Sequence, residues 1–230
     1  MTDQQKNPSS PPKAETRTER RKRITREKLL NSALDLMAQK GYEGVTVNEI
    51  TEAADVGFGS FYNYFESKEA IYTELLDTLF EAFADDMEAN INMLSDTAEV
   101  MTASMRYVLA KVDSDPAWGQ ILVRQGLSGE ALTRGLGQRM VRDIQNGVVQ
   151  NRFRSDDPLL TLLKVAGLML TTISLKLNIK SNFSTYQGMA ERLNMTLEGL
   201  DERAVTETLQ ILGLDADEAR EIATKKLPGI

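Results

Sequence analysis

Residues 46–68 read TVNEITEAADVGFGSFYNYFESK, a run that describes two short helices, the tight turn between them and the start of a third. Thr46 and Glu49 have the Thr-x-x-Glu spacing of a capping box, in which the hydroxyl takes a free amide of the first turn and the carboxylate returns to the cap's own amide. A helix therefore begins at Val47, and Ile50, Ala53 and Ala54 follow at helical spacing. Asp55 comes next, a residue type that tolerates the left-handed conformation needed at the bend of a helix-turn-helix, and Val56 plugs the turn. From Gly57 or Phe58 a second helix of about two turns places Phe61 and Phe65 four apart on one face.

Ser60, Tyr62, Asn63 and Tyr64 are left pointing elsewhere. Hydroxyls and a carboxamide suit phosphates and base edges, and Gly59 adds a bare spot where a sugar-phosphate backbone can come close. Ser67 is a further N-cap, with Lys68 in the first turn behind it. A cation there opposes the helix dipole, and a phosphate partner accounts for it. The competing reading half-buries Tyr62 and Tyr64 in a small core and leaves Lys68 solvated; the set as a whole favours a nucleic-acid reader.

Upstream, Ile24 to Lys40 reads as the supporting helix, capped by Thr25, with Ile24 and Leu29 as a hydrophobic staple. Leu30, Ala33, Leu34, Met37 and Ala38 form its apolar stripe, and Gly41 closes it after Lys40. Residues 1–22 carry prolines and serines and no large apolar side chain after Met1, so a disordered basic arm is expected. Between Lys13 and Lys28 there are 8 Lys/Arg against 3 Asp/Glu, net +5. Such an arm enters a minor groove or lies on phosphates; the alternative is a solvated tail. No apolar core follows the charges, so it is not a secretory signal.

The pattern Gly41, Tyr42, Thr46, Val47, Ile50, Ala54, Asp55, Val56, Gly57, Phe58, Gly59, Ser60, Phe61, Tyr62, Asn63, Tyr64, Phe65, Ser67, Lys68 and Glu69 resembles the DNA-binding region of the tetracycline-repressor (TetR) family of bacterial transcription regulators. Three departures from the family pattern stand out: Asp55 replaces a turn Gly, Thr51 a frequent Ala, and Gly57 and Phe58 stand where polar residues often contact DNA. Phe58 offers only apolar contacts, for example to a thymine methyl. The resemblance implies DNA-binding residues at Thr46, Gly57, Phe58, Gly59, Ser60, Tyr62, Asn63, Tyr64 and Lys68. It also implies an inducer, a pocket for it in the second domain, and repression as the default outcome.

Composition fits a division of labour. The chain has formal charge −7, but residues 1–68 hold 11 Lys/Arg against 10 Asp/Glu, net +1, leaving 16 against 24, net −8, in residues 69–230. The acidic body is repelled by DNA, so contact falls to the N-terminal part. There is no Cys and no His, which excludes disulfide scaffolds, Cys/His zinc sites and Ser-His-Asp triads. No paired-carboxylate constellation stands out, so no enzyme activity, metal or cofactor is expected.

The rest is helical in pattern, giving an all-α expectation: a three-helix DNA-binding domain over 23–68 and a helical ligand-binding and dimerisation domain over 69–230. One helix runs from Lys68 to about Met93, with Ile71, Leu75, Leu79 and Phe83 stepping by four. Others span Thr97 to Val112, a segment from Pro116, and Ala131 to Val149, whose glycines at 135 and 137 weaken its start. The helix from Pro158 to about Asn178 is apolar nearly all round. Its Lys164, Lys176 and threonines argue against a membrane span, so it reads as a buried helix that shares a face with a second subunit. In the resembled family two late helices per subunit form a four-helix interface, and Asp201 to Leu212 is the matching partner. Residues 181–199 read as an extra helix or lid, and Asp215 to Lys226 as a last short helix.

A pocket is guessed from Met101, Met105, Trp118, Leu122, Met140, Met169 and Thr172, on helices that such proteins fold around a cavity, with ordinary core packing as the alternative; ten methionines lean toward an apolar or lipid-like ligand. The expected function is that of a cytoplasmic, nucleoid-associated homodimeric repressor, released from a palindromic operator in double-stranded DNA by a small-molecule inducer. The alternatives are an activator or inducer-free regulator and, more distantly, a helical protein-interaction module.

Overall fold

The computed structural model describes residues 15–226; the first part of the expected arm, residues 1–14, lies outside them. Every regular element among the described residues is a helix. The headpiece consists of α1 (Arg17–Lys40), α2 (Val47–Ala53), α3 (Phe58–Phe61) and α4 (Lys68–Leu76). A π turn (Asp77–Glu81) carries α4 on into α5 (Ala82–Ile91). The body adds α6 (Thr97–Ser114), α7 (Pro116–Gln125), α8 (Gly129–Thr133), α9 (Gly135–Val149), α10 (Pro158–Ser181), α11 (Phe183–Arg192), α12 (Leu200–Ile211) and α13 (Ala216–Thr224).

The first helix starts earlier than expected. Thr16, not Thr25, is the cap: its hydroxyl accepts from the Glu19 amide at 3.2 Å, and the Glu19 carboxylate accepts from the Thr16 amide at 2.7 Å. Ile24 is consequently mid-helix and exposed, not one arm of a staple. Residues 17–22, assigned to the arm, form the opening turns of α1. Leu29, Ala33 and Met37 then bury their side chains against Val45, Ile50, Phe61, Phe65, Ile71 and Leu75, a small core closed by helical periodicity alone.

The body core is larger. It is built from α6, α7, α9, α10, α12 and α13 around Met105, Leu109, Trp118, Ile173, Leu209 and Leu212. Trp118 is fully buried, stacks obliquely on Phe80 and Phe83 with ring centroids 5.2 and 4.9 Å away, and donates its indole N–H to the Leu79 carbonyl in the π turn at 3.4 Å. The expected continuous helix from Lys68 is thus interrupted by the π turn, and the helix expected over 131–149 is split at Arg134. At that break Gly135 takes a positive φ of 49°, and a Cβ on Gly137 would sit 2.0 Å from the Ala131 carbonyl oxygen. The chain there can only be bent.

Helix α10 is long and apolar enough to cross a bilayer by length and composition. In the fold it packs on α7 and α12, burying Thr161, Val165, Ala166, Thr172 and Ile173, while Leu159, Leu160 and Leu163 face outward from its first turns. Lys176 reaches Asp113 at 3.0 Å and pairs with Asp201, tying the end of α6 and the start of α12 to α10.

Candidate nucleic-acid interface and effector cavity

The turn of the helix-turn-helix is set by Asp55, whose φ of 55° is the left-handed conformation inferred from its side chain. Thr46 and Glu49 form the capping box, with the Thr46 hydroxyl also donating to the Glu49 carboxylate at 2.8 Å. Lys40, at the end of α1, holds the same carboxylate at 2.6 Å. These contacts, the Lys40 ammonium first, hold the Glu49 carboxyl down at about 2. Thr51, where the family usually has Ala, is buried because its hydroxyl donates to the Asn48 carbonyl at 2.9 Å, which satisfies the extra polar group.

Beyond the turn, α3 is a single turn where two were expected, with Gly57 in extended backbone at its cap. Phe61 and Phe65 are buried as their spacing required. Phe58 and Tyr62 are more than half exposed, 51% and 53%, and stand edge to face with ring centroids 5.7 Å apart. A Cβ on Gly59 would meet nothing within 4 Å. Gly57, Phe58, Gly59, Tyr62 and Asn63 therefore form one open ridge. Ser60 is half-buried at its foot.

Two expected contact residues turn inward. Tyr64 is half-buried against the headpiece core. Lys68 donates to the carbonyls of Tyr42 and Val45 at 3.0 and 3.1 Å, and its ammonium lies 4.1 Å from the centre of the Tyr42 ring. The cation in the first turn of α4 is thus engaged by the loop between α1 and α2.

Along α1, Arg23 is occupied by Glu15 and Glu27, and Arg26 grips Glu74 of α4 through Nη1 and Nη2 while its guanidinium carbon lies 4.9 Å from the centre of the Phe65 ring. Arg17, Arg20, Arg21, Lys22 and Lys28 are exposed on the same helix.

In the body, a cavity of about 120 Å³ opens between α6, α7, α9 and α10. Met101, Met105, Leu122, Met140 and Met169 line it as expected; Trp118 and Thr172 do not, because both are buried in the core away from it. Its polar groups escaped the sequence reading: Ser104, Arg139 and Asp143. Arg139 is held by Glu81 at 3.1 Å, by Glu88 at 3.0 Å and by Asp85. The Gly135 amide and Arg139 keep the Glu81 carboxyl below its ordinary range, and Arg139 does the same for Glu88. Burial, by contrast, pushes the Asp143 carboxyl up, against the pull of Arg142.

Helix α7 joins this cavity to the headpiece. Leu122 faces the cavity, whereas Arg124 donates to the carbonyls of Ala38 and Gln39 at 3.3 and 3.1 Å, closing the C-terminal end of α1. Gln125 donates to the Tyr72 hydroxyl of α4 at 3.0 Å.

A model of bacterial regulatory proteins of the tetR family matches residues 29–75, and one of the tetracyclin repressor-like C-terminal domain matches residues 96–225. The chain belongs to the TetR family of transcription regulators. RolR, solved in complex with resorcinol, superposes on this TetR-family chain with a TM-score of 0.65 and 30% identity, over 92% of this chain and 98% of RolR. The transcriptional regulator TcmR of Streptomyces glaucescens is 35% identical over 97 residues, 41% of each chain. The transcriptional repressor DhaR of Mycobacterium sp. strain GP1 is 37% identical over 75 residues, 33% of this chain and 36% of DhaR. The chain thus spans about two fifths of the length of these curated relatives. TetR-family proteins are transcription regulators, not enzymes.

In this TetR-family body, a sequence signal for the missed polar wall does exist. Arg139 and Asp143 step by four along α9, beside Leu136 and Met140, so charges intrude on a cavity-facing side. Nothing local foretells Arg124, whose partners lie 85 and 86 residues away.

Proposed function

We propose that the chain is a homodimeric repressor, held on a palindromic operator by two headpieces and released when a small molecule fills the body cavity, acting on chromosomal DNA in the cytoplasm. The observation that carries this reading is the short span of α7 on which Leu122 lines the cavity while Arg124 and Gln125 grip α1 and α4. A ligand that binds best with α7 displaced shifts the headpieces by its differential affinity for the two arrangements.

Gly57, Phe58, Gly59, Tyr62 and Asn63 meet the duplex, flanked by Thr46 and Ser60, and the exposed basic residues Arg17, Arg20, Arg21, Lys22 and Lys28 of α1 lie along phosphates. A single headpiece has a small footprint, and each good base contact is worth about 1–3 kcal/mol. Two joined heads add their contacts and demand matched half-sites. The outward Leu159, Leu160 and Leu163 of α10 supply an apolar face for the second copy. The cavity, about 120 Å³, has the size class of a site that holds a single benzene-like ring, and RolR was solved with such a ligand. An apolar inducer is retained and a lipid-like one set aside, since an acyl chain does not fit that volume.

Selection of binding sites from random duplexes, with the mass of the protein measured alongside, tests this. A two-fold symmetric operator, a dimer, and release by a ring-sized compound are expected. A monomer, or no preference for any symmetric duplex at moderate ionic strength, would overturn it.

A further inference from the structure

The walls of the body cavity are not equally fixed. Met101, Met105 and Val165 belong to α6 and α10 and are buried in the body core, so moving them would expose a packed interior. Residues 126–134 supply Gly126, Leu127, Ala131 and Leu132 to the same cavity, yet none of the described residues in that stretch is buried. Its short helix, α8, has one substantial neighbour, α9. A segment with so little buried apolar contact opens at low cost.

Two glycines bound it. Gly126 and Gly135 stand at φ of 57° and 49°, where a side chain is strained and a glycine turns freely. Behind the segment lies a second void of about 50 Å³, with Leu76, Phe80 and Glu81 on one side and Ala131, Gly135 and Leu136 on the other. Leu122, Ala131, Leu136 and Gly137 line both voids, so an outward swing of 126–134 would join them. Two polar contacts fasten the hinge end of the segment: the Gly135 amide donates to Glu81 Oε1 at 2.7 Å, and Arg134 reaches Asp77 at 3.1 Å. Both carboxylates belong to the π turn between headpiece and body.

We propose that residues 126–134 are the door through which a small molecule enters the body cavity, hinged at Gly126 and Gly135 and latched on the π turn by Glu81 and Asp77. That a ligand uses the door rests on the effector role proposed above; that the segment opens does not. Opening it releases two contacts of the π turn, so access to the cavity and the hold on the junction with the headpiece are governed by the same residues.

The chain has no cysteine, so one introduced thiol reports the opening. Met105→Cys puts it in the cavity wall, and Leu109→Cys, one turn further along α6 in the body core, is the control away from the cavity. Each is alkylated with iodoacetamide in the full chain, with no ligand and no DNA, so the result is independent of the repressor-inducer reading. Adding Glu81→Ala is expected to speed alkylation at position 105 by about tenfold or more, as loss of a hydrogen bond to a charged acceptor implies. Adding Arg134→Ala, which removes a half-exposed ion pair, should speed it about two- to fivefold. The thiol at position 109 should keep its rate within about twofold in both backgrounds. Met101→Cys, on the same wall, serves if Met105→Cys does not fold. Unchanged alkylation at 105, or equal acceleration at 105 and 109, would overturn the proposal. So would acceleration by Glu81→Ala alone, since Glu81 also holds Arg139 and the opening would then lie at Arg139 instead.

Discussion

Replacing Lys68 by Met separates a structural lysine from a phosphate-binding one. In the fold its ammonium makes two hydrogen bonds, to Tyr42 and Val45 carbonyls at 3.0 and 3.1 Å, and sits over the Tyr42 ring. Hydrogen bonds to charged groups contribute about 1.5–3 kcal/mol each, and a cation over an aromatic face about 0.5–1 kcal/mol at exposed sites. Lys68 is half-buried, so water compensates part of the loss, and a net destabilisation of the headpiece by about 2–3 kcal/mol is expected. Urea unfolding followed by circular dichroism reads that number. Operator affinity measured against salt concentration reads the other possibility, since each lost phosphate contact lowers the slope of log K on log salt by about 0.9. At a temperature where the variant is folded, the slope should match the parent's. A slope smaller by about one, with stability within about 0.5 kcal/mol of the parent, would refute the structural role and return Lys68 to the DNA.

Gly59→Ala is expected to leave stability unchanged or raise it by up to about 1 kcal/mol, since a helix gains from Ala and the position is open. Under the proposed docking, in which the duplex backbone approaches Gly59, operator affinity measured by fluorescence anisotropy should nevertheless fall roughly tenfold, about 1.4 kcal/mol. Gly147→Ala should cost about 1–3 kcal/mol in thermal unfolding, because its Cβ would lie 2.0 Å from the buried ring of Phe153; a neutral result would mean that the ring swings aside freely. Acidification gives a fourth check. The Glu49 carboxyl sits at about 2 in the fold against 4.5 ordinarily, so the ionised form favours the fold. Its contribution is complete above about pH 4.5 and is lost as pH falls toward 2. Melting of Lys40→Met between pH 6 and 3 should show a shallower loss of headpiece stability than the parent.

What could be read beforehand was what is encoded locally. The Thr46/Glu49 box, the left-handed Asp55 and the inward pair Phe61 and Phe65 each depend on residues within one or two turns, and each sits where its chemistry placed it. The start of α1 was misjudged although Thr16 and Glu19 form the same box as Thr46 and Glu49, because the prolines and charges before it suggested an unstructured arm. The contacts of Lys68 were missed for a different reason. Its partners are carbonyls 23 and 26 residues earlier in the chain, and main-chain acceptors leave no mark in a sequence. The cavity shows both sides: its methionines followed helical periodicity, whereas the neighbours of Asp143 and Ser104 depend on how four helices converge.

The π turn between α4 and α5 carries one more consequence. It lies where the headpiece ends and the cavity-bearing body begins, and it is anchored there by the indole of Trp118 and by the Glu81 contacts to Gly135 and Arg139. A π turn accommodates one residue more than the α-helical ladder needs, and each α-helical residue advances the chain by about 100° around its axis. Letting that surplus residue pass into the ladder would swing the head around the helix axis without unwinding either half. The chain thus carries a surplus residue inside an unbroken rod, and one of the side chains that fasten it, Arg139, also lines the body cavity.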